Sequence, residues 1–309
     1  LNASDDADKM GEPTRWPIDG VTRAISDEVS KNLDADVIFY NGPIAHPYDY
    51  RFIEACAGRY QRANVLLILV TSGGSADSAF RMASWLQVNY QRFTLYVTGR
   101  CKSAGTLVAM GAHDLIVSDD HGELGPLDVQ MPAPEEPERR RSGLTFSNAL
   151  LRLDFEAFRA YENFLSGIAK ANDGTVPKEY AMKIASDMAV GLYGQTYGQL
   201  DPLHVGRASR AMDIASEYSL RLLEAGQNSD TERVNELISD YPSHEFVINS
   251  TEVARLFDNV YMPDDLERLL ALSLGEYAIA PHRPREEDWG RFTPFEFLST
   301  EPEDDEVEE

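Results

Sequence analysis

The chain has 309 residues and a net charge of −24, with six lysines against twenty-two arginines. It is 43% hydrophobic and 10% aromatic, enough for a sizeable core and too apolar for wholesale disorder. Such an acidic balance disfavours nucleic acid and anionic membrane as partners. Seven of the last nine residues, Glu301 to Glu309, are acidic. Cys56 and Cys101 are the only cysteines, too few for a disulfide framework, and they read as reduced buried thiols. No apolar run approaches the ~20 residues that span a bilayer, and no signal-peptide pattern is visible, so a cytoplasmic protein is expected.

Residues 1–35 read as a loose acidic arm with one helix, Val21 to Asn32. Asp36 to Tyr40 reads as a strand stopped by Asn41-Gly42-Pro43, and Tyr48 to Tyr60 as a helix. Val65 to Val70 is six apolar residues in a row, bounded by Thr71-Ser72-Gly73-Gly74. Such a run suits a strand buried on both faces of a parallel sheet. Ser75 to Gln91 is helical, with Ala79, Met82, Ala83 and Leu86 on one face.

Phe93 to Val97 is the next strand. A turn at Gly99 leads to Ser103, which opens an apolar helix, and Leu115 to Val117 forms a further strand. Alternating strands and helices predict an α/β fold of stacked βα units with a mostly parallel sheet. Ligands of such folds meet the loops at the C-terminal ends of the strands, where both glycine turns fall.

After Gln130 the pattern changes. Met131 to Ser142 reads as a proline- and charge-rich loop, and a mainly helical part follows from about residue 145. Helices are expected over Phe146 to Ala171, Lys178 to Tyr193, Ser209 to Ala225 and Thr231 to Ile238. A short strand, Phe246 to Ile248, precedes a helix capped by Ser250, and Pro263 to Leu272 is the last helix. Residues 276–309 read as a poorly ordered acidic tail, which leaves 36–275 as the folded domain.

Two turns carry the chemistry. Adjacent glycines at Gly73-Gly74 let the backbone aim N–H groups into a cleft. Ser103 stands where a strand turns sharply into a helix, the setting of an activated nucleophile. Gly74 and Ser103 are separated by one helix and one strand, so adjacent parallel strands bring both turns to one edge. The N–H groups of Gly74 and Ala104 then form an oxyanion hole beside Ser103, with Gly73 and Ser75 placed to bind substrate.

This arrangement resembles the Clp protease/crotonase superfamily. The similarity is strongest to the serine dehydrogenase proteinase family, relatives of signal peptide peptidase A. It rests on Lys102-Ser103-Ala104-Gly105-Thr106, Gly111-Ala112 and Glu123-Leu124-Gly125-Pro126-Leu127-Asp128. Gly191-Leu192-Tyr193, Gln199 to Pro202 and Tyr241-Pro242-Ser243-His244 extend it over roughly residues 36–260. The resemblance implies a ClpP-like fold, hydrolysis of peptide bonds through a Ser103 acyl-enzyme, no metal or other cofactor, and a homo-oligomer.

Where the Clp subunit carries its histidine, this chain has Asp128. His244 falls on the position of that subunit's catalytic aspartate. A rearranged triad of Ser103, His244 and Asp128 follows, in which His244 is the base and Asp128 orients it. Lys102, adjacent to Ser103, is a second candidate for activating it. Two other readings stay open: a catalytically silent scaffold of the same fold, favoured by the absent histidine, and a crotonase-type acyl-CoA enzyme. The second of these needs basic contacts for phosphates that so acidic a chain does not offer.

Overall fold

The computed structural model describes residues 16–59, 62–127, 130–132, 140–171, 175–285 and 292–300. The chain divides into two compact units, Leu1–Leu127 with Ile214–Glu309, and Asp128–Asp213. The single body expected over 36–275 is therefore interrupted in sequence by a unit of its own.

The first unit begins with helix α1 (Gly20–Leu33), strand β1 (Ala35–Asn41), α2 (Tyr48–Arg59), β2 (Asn64–Val70), α3 (Ala76–Asn89) and β3 (Arg92–Val97). A two-residue strand β4 (Arg100–Cys101), helix α4 (Ala104–Met110), β5 (Asp114–Val117) and β6 (Glu123–Leu124) follow. After the second unit the chain returns through the end of a helix begun there, then α8 (Thr231–Ser239), β9 (Ile248–Asn249) and α9 (Ser250–Leu256). It closes with β10 (Val260–Tyr261), α10 (Asp265–Leu274), a 3₁₀ turn (Gly275–Ala278) and β11 (Phe295–Phe297).

The main sheet runs β10-β5-β3-β2-β1-β11. Its first five strands are parallel and β11 is antiparallel, so the expected mostly parallel α/β sheet is what forms. Every residue of β1 and all but the first of β2 are buried, as continuous apolar runs require. A second sheet of very short strands, β4-β6-β9, stands apart from it.

Two stretches expected to be loose belong to the core. Trp16 is buried in a ring of edge-on aromatic contacts with Phe39, Tyr277 and Phe292, and α1 buries Val29 beside them. The tail expected from 276 onward supplies Phe292, Phe295, Phe297 and Leu298, all buried, and β11 pairs with β1. Aromatic side chains spaced among acids and prolines have no periodicity, yet each finds an apolar partner far away in the chain. Replacing Trp16 by alanine is expected to lower the unfolding free energy by about 3 kcal/mol. Urea unfolding measures it, and a wild-type midpoint would return Trp16 to a loose arm.

Three local boundaries also differ. The strand expected over Phe246 to Ile248 is β9, two residues on, because Phe246 N–H donates to Ser243 O (3.1 Å) in a turn. The cap of α9 is Asn249, which accepts from the Glu252 N–H, rather than Ser250. Cys56 and Cys101 are free and buried, as expected.

The second unit holds β7 (Gln130–Pro132) paired antiparallel with β8 (Arg140–Ser142), so the ends of the expected loop are strands. Helices α5 (Gly143–Ala171) and α6 (Lys178–Tyr197) pack together, and α6 turns the small residues Ala181, Ala185 and Ala189 inward at four-residue spacing. Helix α7 (Pro202–Gly226) starts in this unit. It begins seven residues before the helix expected from Ser209. Pro202 occupies the first helical position and the Asp201 side chain accepts from the Leu203 N–H at 2.9 Å.

Candidate active site

Both glycine-bearing turns lie at C-terminal strand ends, and the backbone stitches them together. Thr71, directly after β2, forms a parallel bridge with Cys101. The Thr71 N–H donates to Arg100 O (2.7 Å) and the Lys102 N–H to Thr71 O (3.1 Å). A Cβ placed on Gly73 would stand 2.9 Å from the Ser103 Cβ and 3.3 Å from the Ala104 nitrogen. Gly73, at φ 102°, is therefore pressed against the serine, and no larger residue fits.

Gly74 follows at φ 153°. The strand-like Ile44 lies alongside: its N–H donates to Gly73 O (3.1 Å) and its carbonyl accepts from the Ser75 N–H (2.7 Å). A Cβ on Gly74 would fall 2.0 Å from Ile44 O. The Gly73 N–H is held by Thr71 Oγ1 (2.9 Å) and the Gly105 N–H by Lys102 O (2.9 Å). Among the described residues, no hydrogen bond takes the N–H of Gly74 or of Ala104. These are the two donors expected to form an oxyanion hole.

Ser103 is half-buried and adopts φ 53°, ψ −110°, a conformation L-residues avoid at a cost of about 1–3 kcal/mol. It sits in the N-cap position of α4 but its side chain caps nothing. A serine kept for capping would use its hydroxyl on the helix and an unstrained extended backbone. Ser75 does so: at φ −82° its side chain accepts from the Ser78 N–H, so this candidate substrate contact serves as a helix cap. Ser103 instead presents an uncommitted hydroxyl on a strained turn between strand and helix, the geometry of a nucleophile elbow.

Lys102 is 1% exposed and its ammonium is fully engaged. Nζ donates to Leu124 O (2.9 Å) and to Phe246 O (3.0 Å), and lies 3.2 Å from Glu123 Oε1. Burial pushes its pKa down by more than Glu123 raises it, so the ammonium sits below the usual lysine range. With three acceptors around three ammonium protons, Lys102 suits a structural pin better than a proton acceptor. What it pins is the strand order β4-β6-β9, in which Cys101 pairs with Leu124 and Leu124 with Ile248. Thr106 Oγ1 donates to Gly125 O (2.7 Å) and fastens the same Glu-Leu-Gly-Pro turn to α4.

Those contacts carry the segment of His244 to the site's flank. Its neighbours Glu245 and Phe246 touch Arg100 and Lys102 respectively, and the hydrogen bond from Arg100 holds the Glu245 carboxyl below its usual range. His244 is half-buried there. Asp128, its expected partner, lies outside the described residues. Glu123, Arg100 and Glu245 were not anticipated as part of this corner. A buried lysine beside the serine demands a counter-charge, and Glu123 in the Glu-Leu-Gly-Pro string was the signal available.

The loop that carries Ile44 is anchored by a buried ion pair. Asp49 of α2 is fully buried and accepts from the Nε and Nη2 of Arg81 of α3. Burial pushes the Asp49 carboxyl up, but the hydrogen bonds from Arg81 and Ser78 outweigh it and the net shift is downward. A carboxyl with a depressed folded-state pKa contributes stability that is present above its unfolded pKa and is lost as pH falls through the folded one. Wild-type stability is therefore expected to decline as pH drops below about 4, part of that decline disappearing in Asp49→Asn. Urea unfolding at pH 3 and pH 6 measures it; equal pH slopes would contradict the assignment.

No group of three or more histidine, cysteine or acidic side chains placed to hold a metal occurs among the described residues. No helix among them is long and apolar enough to cross a membrane. No protein-family model matches the chain, and no curated protein sequence matches it. Among solved structures, the chain is similar to 1510-N, described as a membrane-bound stomatin-specific protease and solved as a Ser→Ala mutant. The TM-score is 0.43 at 13% sequence identity, over 78% of this chain and 84% of that one.

Proposed function

We propose that the chain is a serine peptidase of the ClpP-like class. Ser103 attacks the scissile carbonyl, the N–H groups of Gly74 and Ala104 receive the oxyanion, and water resolves the acyl-enzyme. His244 accepts the serine proton and Asp128 orients it, with Gly73 bordering the bound peptide. The observation that carries this reading is the backbone of Ser103, strained, free of any capping duty and packed against Gly73. The family resemblance adds a homo-oligomer, and free buried thiols fit the cytoplasm.

A denatured protein substrate should be cut by the wild type and left intact by Ser103→Ala, with products read by mass spectrometry. Replacing His244 by alanine should slow the cut by about 10²–10⁴-fold. Full activity in His244→Ala would assign the base to another residue.

A scaffold of the same fold is the second reading. It is favoured by one observation: the position at which the Clp subunit carries its histidine is Asp128 in this chain. It predicts no cleavage by either protein across a range of pH.

A further inference from the structure

The face of the main sheet that α1 and α10 cover is filled unevenly. Leu270 and Leu274 of α10 belong to the apolar cluster that includes Phe39, Ile68 and Tyr96 of the sheet. Toward the N-terminal ends the cover stops, and a cavity of 380 Å³ remains, on the opposite strand ends from Ser103. Its walls include Ala35, Leu66, Thr94 and Ile116 of four adjacent strands. Tyr261 and Met262 also line it, and both are about half exposed, at 52% and 48%. The volume lies within the range of small-molecule sites, roughly 300–1,000 Å³.

Three of the four charged side chains that line this cavity are anionic. Asp114 is neutralised by Arg92, whose Nη2 lies 2.6 Å from its Oδ1. Among the described residues, Asp264 and Glu267 make no ion pair, although Arg268 acts on Glu267 from nearby. They form the capping box of α10: the Glu267 N–H donates to Asp264 Oδ1 (2.8 Å) and the Asp264 N–H to Glu267 Oε2 (2.8 Å). That box uses one oxygen of each carboxylate, and no hydrogen bond among the described residues occupies the other. The helix N-terminus offsets part of their charge. Arg268, next in sequence, pairs with Asp265 (3.5 Å) and lines a different cavity. An apolar slot with two partly used carboxylates and an aromatic ring disfavours carboxylate and phosphate ligands and suits a cation with an apolar body.

We propose that this cavity binds a small organic ammonium ion, its apolar part against Leu66 and Ile116 and its cation toward Asp264 and Glu267. The site is independent of Ser103 chemistry. The test is calorimetric titration with phenethylammonium and with its neutral counterpart 2-phenylethanol. The ammonium should bind at least tenfold more tightly. The double substitution Asp264→Asn with Glu267→Gln keeps side chains able to form the capping box but removes both charges, and should abolish that preference. Equal affinity for the two compounds, no binding of either at millimolar concentration, or a preference that survives in the double variant would overturn the proposal. A second measurement needs no variant: phenethylammonium should shift the methyl resonances of Leu66, Ile116 and Met262 in the wild type. Shifts confined to other methyls would also overturn it.

Discussion

Replacing Gly74 by alanine is expected to slow acylation of Ser103 by about 10²–10³-fold, the usual cost of losing one oxyanion donor. The cause is local. The new methyl group would collide with Ile44 O at 2.0 Å and with Ile44 C at 2.8 Å, both backbone atoms, at a φ of 153°. The loop or the turn must move, and the Gly74 N–H moves with it. Thermal unfolding should fall as well, since the Gly73–Ile44–Ser75 hydrogen bonds are strained together. Ser75→Ala is the control. It removes a helix cap worth about 1 kcal/mol and leaves the turn's backbone alone, so activity should persist. Acylation is read as the rate of fluorophosphonate labelling, and a Gly74→Ala protein labelling at the wild-type rate would remove Gly74 from the site.

The second large effect is expected at Lys102. Lys102→Met preserves most of the buried stem but leaves the carbonyls of Leu124 and Phe246 without their Lys102 donor and Glu123 with Arg100 as its remaining cation. Such losses lower stability by about 3 kcal/mol. Because Lys102 joins β4 to the chain around β6 and β9, the His244 segment should loosen first. Hydrogen exchange at Phe246 to Asn249 would report it. At a temperature where Lys102→Met stays folded, Ser103 should still label, as a lysine that only positions the strands requires. A variant as stable as the wild type but unable to label would instead make Lys102 the base.

Four of the six strands of the main sheet, β1, β2, β3 and β5, are legible in the sequence because each centres on a mainly apolar run closed by a turn signal. The meeting of the Gly73-Gly74 and Ser103 turns is legible because one helix and one strand separate them, which brings both to one edge of a parallel sheet. Three things are not legible, each for a physical reason. Trp16 and Phe292 pack on each other from opposite ends of the chain, within acidic surroundings that mask them locally. The strands β4, β6 and β9 have two residues each, too few to show any period. The partners of Lys102 lie 22 and 144 residues away, so its burial is fixed entirely by tertiary structure. The expectation that Lys102 activates the serine came from adjacency in sequence, whereas in the fold its ammonium is directed to Leu124 O, Phe246 O and Glu123.

Every step proposed for this site begins with Ser103 as the nucleophile. The most direct measurement is intact-mass analysis of the purified chain after incubation with a fluorophosphonate, with the adduct located by peptide mapping, for the wild type and Ser103→Ala. The predicted result is one adduct per chain, on Ser103, and none on the variant. An unmodified wild type across pH and salt, or equal adducts on both proteins, would contradict the assignment.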